Sequence, residues 1–376
     1  MHVLNSDKIQ HQTRDVPSLC KSTEETCLGP FRRLLADLNG PATGHPPVTC
    51  VVADALMDFS MEAAKELGLP YVQLWTSSAI SFVGYCHYRL LFERGLAPIK
   101  DVKQLTDEYL DTPVEDVPGL RNMRFRDFPT FIRSPAPRLR NMFWTVRPGS
   151  LTITERSVGA SAMIVNTFGD LEGEVVAATE ALGMPKVYTI GPLPLLAPSS
   201  NISMSLWKQQ ECLPWLHGKA RGSVVYVNFG SITVMNNEQL VEFAWGLVKS
   251  GRHFLWIIRP DLVKGDMRCS LRSSRPRRRS VGLWPPGARS SSWPFFADQQ
   301  TNCRYQCNEW GVGMEIDSNV QSDAVADLIT EVMEGDKGQV MKKKTQEWRG
   351  KAVKAAKPGG SSHRNFEELI SNVLAP

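Results

Sequence analysis

The feature that most restricts the fold of this chain is an alternation of short apolar runs with segments of helical period. Val48 to Ala53 is a compact apolar run after Pro46-Pro47, as expected for a parallel strand buried on both faces. Asp54 ends it, and Phe59 to Leu67 follows with helical spacing until Gly68 and Pro70 stop it. Tyr71 to Trp75 predicts the next strand and Ala79 to Arg94 the next helix. Ala162 to Asn166, Leu171 to Leu182 and Val187 to Ile190 repeat strand, helix and strand. A second set runs from the strand Val224 to Phe229 through a helix at Glu238 to Lys249, capped near Asn236 or Asn237, to a strand at Phe254 to Ile258. Further helices are predicted at Thr301 to Glu309, Ser322 to Met333, Val340 to Lys357 and Asn365 to Leu374. Strands alternating with helices imply an α/β protein with parallel sheets.

Two stretches interrupt the pattern. Lys100 to Arg147 carries Pro113, Pro118, Pro129, Pro135 and Pro137, which predicts loops and short helices over one face of the first sheet. From Cys269 to Ser292 the chain is dominated by Arg, Ser and Pro with no period of 2 or 3.6, and regular patterning resumes at Trp293. Gly191 to Ser200 (GPLPLLAPSS) has the composition of an extended linker.

A length of 376 residues with 42% apolar and 22% charged residues gives about two or three domains with sizeable cores. The net charge of +4 rests on Arg272, Arg275, Arg277, Arg278, Arg279 and Arg289, so a general nucleic-acid or anionic-membrane surface is not indicated. No stretch is long and apolar enough to span a bilayer, and the polar Met1 to Glu25 holds no secretory apolar core. The eight cysteines are scattered, which predicts reduced thiols in a cytoplasmic protein. Cys303 and Cys307 lie one helical turn apart but lack the second ligand pair that zinc needs.

Two segments offer chemistry. Asn228-Phe229-Gly230-Ser231 closes a strand with a tight turn, where backbone N–H groups and a hydroxyl could receive a diphosphate; an ordinary turn fits the tetrapeptide equally. In Trp293-Pro294-Phe295-Phe296-Ala297-Asp298-Gln299, Asp298 and Gln299 suit sugar hydroxyls and Trp293 offers a flat apolar face. The plain alternative is a helix start capped by Asp298.

Together with PPVTCVVADALMDFSMEAAKELGLPYVQLWTSSA, VPGLRNMRFRDFPTFIR, IVNTFGDLE, VYTIGPL and the closing PGGSSHRNFEEL, these segments resemble the plant small-molecule UDP-glycosyltransferases. Within that family the likeness is to the subgroup that glucosylates terpenoid, cyanohydrin and phenolic alcohols. It runs from about Val16 to the end except for Cys269 to Ser292, and WPFFADQ is its most specific element. The resemblance implies a GT-B-like fold of two Rossmann-like domains with parallel sheets, the first incomplete. It divides the chain into an acceptor-side domain (1–190), a linker region (191–222), a UDP-sugar-binding domain (223–358) and a C-terminal helix (359–376) packing back on the first. It implies inverting, metal-free transfer, with glucose as the donor sugar because Gln299 closes the signature, and a monomer is expected. A histidine would take the acceptor proton and Asp54 would steady the imidazolium. Gly230 and Ser231 would border the donor phosphates, and Trp293, Asp298 and Gln299 would end the donor signature, with Asp298 and Gln299 on the sugar.

The sequence departs from that pattern twice. None of His2, His11, His45, His87, His217, His253 and His363 follows an apolar strand in a Gly-His step, so the base is absent and the chain is expected to begin after the family's first β/α units. The opening of the donor signature is replaced by the Arg/Ser/Pro segment, which reads like translation in a wrong frame or across a misplaced splice junction, with a natural basic linker as the plain alternative. Two readings follow: a glycosyltransferase by descent with impaired activity, or a non-catalytic relative that at most binds a small apolar ligand. A nicotinamide oxidoreductase is disfavoured because no G-x-G-x-x-G follows a predicted strand.

Overall fold

The computed structural model describes residues 22–23, 25–40, 44, 46–97, 99–100, 106–133, 153–196, 212–230, 232–258, 262–263 and 289–374. The chain forms two compact units, Met1–Leu196 with Lys354–Pro376, and Ala197–Val353.

In the first unit, α1 (Leu28–Leu38) leads to β1 (Val51–Asp54), α2 (Phe59–Glu66) and β2 (Tyr71–Trp75). The helices α3 (Ala79–Cys86) and α4 (Tyr88–Glu93) follow. A short antiparallel pair, β3 (Pro113–Val114) with β4 (Met123–Arg124), sits in the proline-rich stretch. Next come β5 (Ala162–Val165), α5 (Gly169–Ala181) and β6 (Val187–Thr189). The main sheet has the order β1-β2-β5-β6, parallel throughout.

Pleating sorts its side chains. Val51 and Tyr71 face Leu35 of α1 and Ala63 and Ala64 of α2, while Val72, Ala162, Ile164 and Tyr188 form a separate core on the opposite face. β5 is buried along its whole length, as a central parallel strand should be. β1 and β6 are the two edge strands of this sheet, and on β1 Val52 is 47% exposed, whereas Val72, beside it on the same face, is 0% exposed. β1 is also shorter than its apolar run, starting at Val51 because only there does the ladder to β2 begin.

The single helix predicted over 79–94 is two helices. They break at His87 (ψ 9°), whose Nε2 lies 2.7 Å from the Pro118 carbonyl oxygen. A tertiary hydrogen bond of this kind leaves no trace in apolar spacing. The proline-rich stretch holds a buried aromatic group, Phe125, Phe128 and Phe131, fixed by Asp127, which accepts from Arg124 N (2.8 Å) and Arg124 Nη2 (2.8 Å).

In the second unit β7 (Val224–Asn228) precedes α6 (Asn237–Lys249), β8 (His253–Ile257), β9 (Ser290–Ser292) and α7 (Gln299–Arg304). Then come β10 (Gly313–Glu315), α8 (Ser322–Glu334) and α9 (Asp336–Ala356), which starts a turn earlier than its periodicity suggests and whose last residues, from Lys354, are counted with the first unit. Asn236 and Gln239 cap α6 reciprocally, Asn236 Oδ1 accepting from Gln239 N (2.7 Å) and Gln239 Oε1 from Asn236 N (3.1 Å). α6 packs closely on α8, since a Cβ placed on Gly246 would lie 2.6 Å from Val325 Cβ. Leu240, Phe243 and Leu247 meet Val320, Val325 and Ile329 in the core beneath.

The strands of this unit fall into two parallel pairs, β7 with β8 and β9 with β10, and no described strand joins them. β9 corrects the expectation that regular structure resumes at Trp293. Ser290, Ser291 and Ser292 carry no apolar alternation, and the backbone ladder to Gly313, Met314 and Glu315 makes them a strand. Most of the arginine-rich segment, 269–288, lies outside the described residues, as does Ser231.

The last helix, α10 (Ser361–Leu369), belongs to the first unit. Asn365 Nδ2 donates to the Thr189 carbonyl (3.0 Å) and hydroxyl (2.9 Å), Ser362 Oγ donates to the Gly191 carbonyl (2.5 Å), and Leu369 completes the core on Val72.

Candidate functional site

The residues that the sequence resemblance assigns to the donor, Gly230, Ser231, Trp293, Asp298 and Gln299, all belong to the second unit. β7 delivers the chain to Asn228, whose Oδ1 accepts from Gly230 N at 2.9 Å and bends the backbone back. Gly230 has φ +68°, with open space where a Cβ would stand, so the turn needs glycine for its backbone sign. Phe229, one residue earlier, points inward with its ring 4.9 Å from that of Phe243 and 5.9 Å from that of Trp293. Trp293 is also 5.4 Å from Phe243, edge to face. The structure therefore brings the Gly230 turn and the start of WPFFADQ together through three rings. The indole has a packing role in this arrangement.

Past Trp293 the backbone turns through Ala297 (φ +57°) into α7. The alternative role of Asp298 as a side-chain cap is not what is found: its carboxylate makes no cap bond, and Oδ2 accepts instead from Asn302 Nδ2 at 2.9 Å. Gln299 Oε1 accepts from the backbone N–H groups of Phe295 (2.9 Å) and Phe296 (3.2 Å). Both residues sit at the mouth of one turn, Asp298 half-buried and Gln299 exposed. Each has an acceptor oxygen committed to holding that turn's shape.

Asp54 belongs to the first unit, at the end of β1, where it pairs with Leu74. Its Oδ1 accepts from Leu56 N at 2.9 Å, and its carbonyl accepts from Met57 N at 2.8 Å, which closes the strand-to-helix turn. Tyr71 lies within reach of this charge. Burial pushes its phenol above the ordinary range, and Asp54 adds to the shift.

Two buried titratable groups stand out that sequence spacing does not single out. Glu172 is 3% exposed at a kink in α5 (φ −132°), and its Oε1 accepts from Ile80 N at 2.9 Å, on the first turn of α3. Burial, above all, raises its carboxyl, opposed by the nearby Thr167 hydroxyl and by the Ile80 and Ala79 N–H groups. His87 is held neutral-favouring, chiefly by burial. Ser78, before a helix of small and apolar residues, marks where α3 starts, but nothing local marks a carboxylate arriving 92 residues later. Among the described residues no group of three or more His, Cys, Asp or Glu could hold a metal ion, and no helix is long and apolar enough to cross a membrane.

No protein-family profile matches the chain. Individual relatives do. The 7-deoxyloganetin glucosyltransferase of Gardenia jasminoides is 45% identical, the alignment covering 96% of this chain and 82% of the relative. The (R)-mandelonitrile beta-glucosyltransferase of Prunus dulcis is 42% identical over the same shares of the two chains. This chain belongs to the plant UDP-glycosyltransferases. It is an enzyme by family, and the family's donor is a UDP-sugar. The Gardenia alignment has 403 positions, whereas 96% of 376 residues is about 361, so about 42 aligned positions of the relative face gaps in this glycosyltransferase.

Solved structures show the fold. Phytolacca americana UGT2, solved with UDP-2fluoro-glucose and pterostilbene, matches with a TM-score of 0.71 at 24% identity, covering 93% of this chain and 79% of that one. Os79 from O. sativa, solved with UDP, matches with a TM-score of 0.71 at 22% identity, covering 95% and 84%. The glycosyltransferase therefore has the GT-B α/β fold with parallel sheets.

Proposed function

We propose that this glycosyltransferase descends from an enzyme that moves glucose, with inversion, from UDP-glucose to a hydroxyl of a small lipophilic alcohol. As written, the chain transfers little or none. The observation that carries the reading is the 45% identity to a glucosyltransferase across 96% of the chain. In such a reaction a histidine removes the acceptor proton as the oxygen attacks the anomeric carbon and UDP leaves. Asp54 is the carboxylate assigned to steady the resulting imidazolium, and the Gly230-Ser231 turn, Trp293, Asp298 and Gln299 are assigned to the donor. Residues 1–190 would take the acceptor, 223–358 the donor, and 359–376 would close the first domain.

The impairment follows from what the chemistry requires. No histidine of the chain occupies a Gly-His step after an apolar strand, so no general base is assigned. Without one the acceptor hydroxyl must attack as a neutral alcohol, and a positioned base is worth about 10²–10⁴-fold in rate. The donor contacts that would precede Trp293 are replaced by the arginine-rich run. The test is acceptor-dependent UDP release from UDP-glucose with a panel of terpenoid, cyanohydrin and phenolic alcohols, alongside calorimetry with UDP-glucose. Release at the background rate and no saturable micromolar binding are expected. Release that is abolished by Asp54→Ala would overturn the impairment and support Asp54's role.

A further inference from the structure

Cys303 and Cys307 stand apart from the donor-side residues, on the far turn of the same helix. Their sulfurs are 3.9 Å apart, and neither is in a disulfide. Cys303 is buried at 2% exposure, while Cys307 is half-buried and within reach of a small reagent. Cys303 lies in the last turn of α7, and Cys307 lies in a π-helical turn, Tyr305–Glu309, in which Trp310 N donates to Tyr305 O at 2.8 Å. A π turn is a wider, less stable winding than the α-helix, so the backbone carrying Cys307 gives more readily than a regular turn. Beyond it, a Cβ placed on Gly313 would lie 3.6 Å from Cys307 Sγ, so the sulfur rests over a residue with no side chain.

We propose that Cys303 and Cys307 form a modification site, a thiol pair that closes to an intrahelical disulfide under a peroxide. Residues four apart on a helix present their Cβ atoms to one face, and their Cα separation of about 6 Å lies inside the range disulfides span. Bond formation asks the sulfurs to approach from 3.9 Å to about 2 Å, which the π turn can yield. The half-exposed Cys307 thiolate attacks the peroxide and becomes a sulfenic acid as the O–O bond breaks and hydroxide leaves. The Cys303 thiolate then attacks that sulfur and expels a second hydroxide. With the two thiol protons the products are one disulfide and two waters, the thiols losing two electrons and the peroxide gaining two.

The sequence supplies a direct readout. Arg304 lies between the two cysteines, Arg289 precedes the segment and Lys337 is the next basic residue. Trypsin therefore puts Cys303 in peptide 290–304 and Cys307 in peptide 305–337. The full chain is titrated with hydrogen peroxide in the native state, its remaining thiols are alkylated, and digests are compared with and without reductant by mass spectrometry. The expected result is a linked 290–304/305–337 species that forms before other cysteines are lost. It should resolve into its two peptides on reduction and be absent from Cys307→Ser. Phenylarsine oxide, which exchanges its oxygen for two thiolates and releases one water, should bridge the same two peptides. The proposal is overturned if Cys307 proceeds to sulfinic acid while Cys303 stays alkylatable, or if either cysteine links instead to Cys27, Cys50 or Cys86. Both outcomes are read in the unsubstituted protein, so a variant that fails to fold leaves the test intact.

Discussion

Removing the Glu172 carboxylate should open α3 selectively. Glu172 Oε1 accepts from Ile80 N at 2.9 Å, and the Ala79 N–H also favours the carboxylate. These donors belong to the first turn of an eight-residue helix, where no intrahelical carbonyl is available to them. In Glu172→Ala two buried N–H groups lose an acceptor at about 1–3 kcal/mol each, and loss of the side chain's methylenes, about 1–2 kcal/mol, brings the total to about 3–8 kcal/mol. At 1.4 kcal/mol per decade, that is roughly a hundred-fold or greater loss of protection for the amides of 79–86, measurable by hydrogen exchange and mass spectrometry. Glu172→Gln keeps an acceptor oxygen and should hold that protection. The two differ with pH. Burial raises the Glu172 carboxyl in the folded protein, so its favourable contribution is present below the ordinary glutamate range and is lost as pH rises through the folded value. Glu172→Gln should therefore gain on the parent in urea unfolding between pH 4 and pH 8. The reasoning fails if Glu172→Ala leaves exchange in 79–86 unchanged, or if the difference between Gln and parent is flat across that range.

Three further outcomes are expected. His87→Gln should remove an acid-labile component of stability, because burial lowers the parent's imidazole pKa; that component is present above about pH 6.5 and is lost as pH falls through the folded value, as thermal melts would record. Gly246→Ala places a methyl 2.6 Å from Val325 Cβ and should destabilise the second unit by about 1–3 kcal/mol in urea unfolding. Trp293→Ala removes the ring that meets both Phe229 and Phe243 and should cost about 2–4 kcal/mol, with loss of near-ultraviolet circular dichroism from that cluster.

The fold was legible where burial follows period. The runs at Tyr71 to Trp75, Ala162 to Asn166 and Val224 to Phe229 became strands close to their predicted ends, and the cap placed at Asn236 or Asn237 proved to be Asn236, at the start of α6. What stayed hidden depends on groups distant in sequence. His87 breaks a helix through a carbonyl 31 residues away, and three serines become a strand because a glycine-led strand lies beside them. Among the candidate residues, the turn at Gly230 could be read from its neighbours. The ring contact that joins it to Trp293 could not, since Phe229 and Phe243 look like ordinary core positions.

The division of the second unit into β7–β8 and β9–β10 carries a mechanical consequence. Within each pair, directional N–H···O bonds fix the offset of one strand against the other. Between the pairs, among the described residues, the join is made by side-chain packing, in which the rings of Phe229, Phe243 and Trp293 meet within a core that also holds Val227, Trp256 and Ile316, and such packing tolerates sliding that a ladder of hydrogen bonds forbids. The Gly230 turn rides on one ribbon, while Asp298 and Gln299 follow directly from the other. Their spacing thus depends on side-chain packing to which these three rings contribute, so a change of ring size at any of them should shift it without breaking a backbone bond.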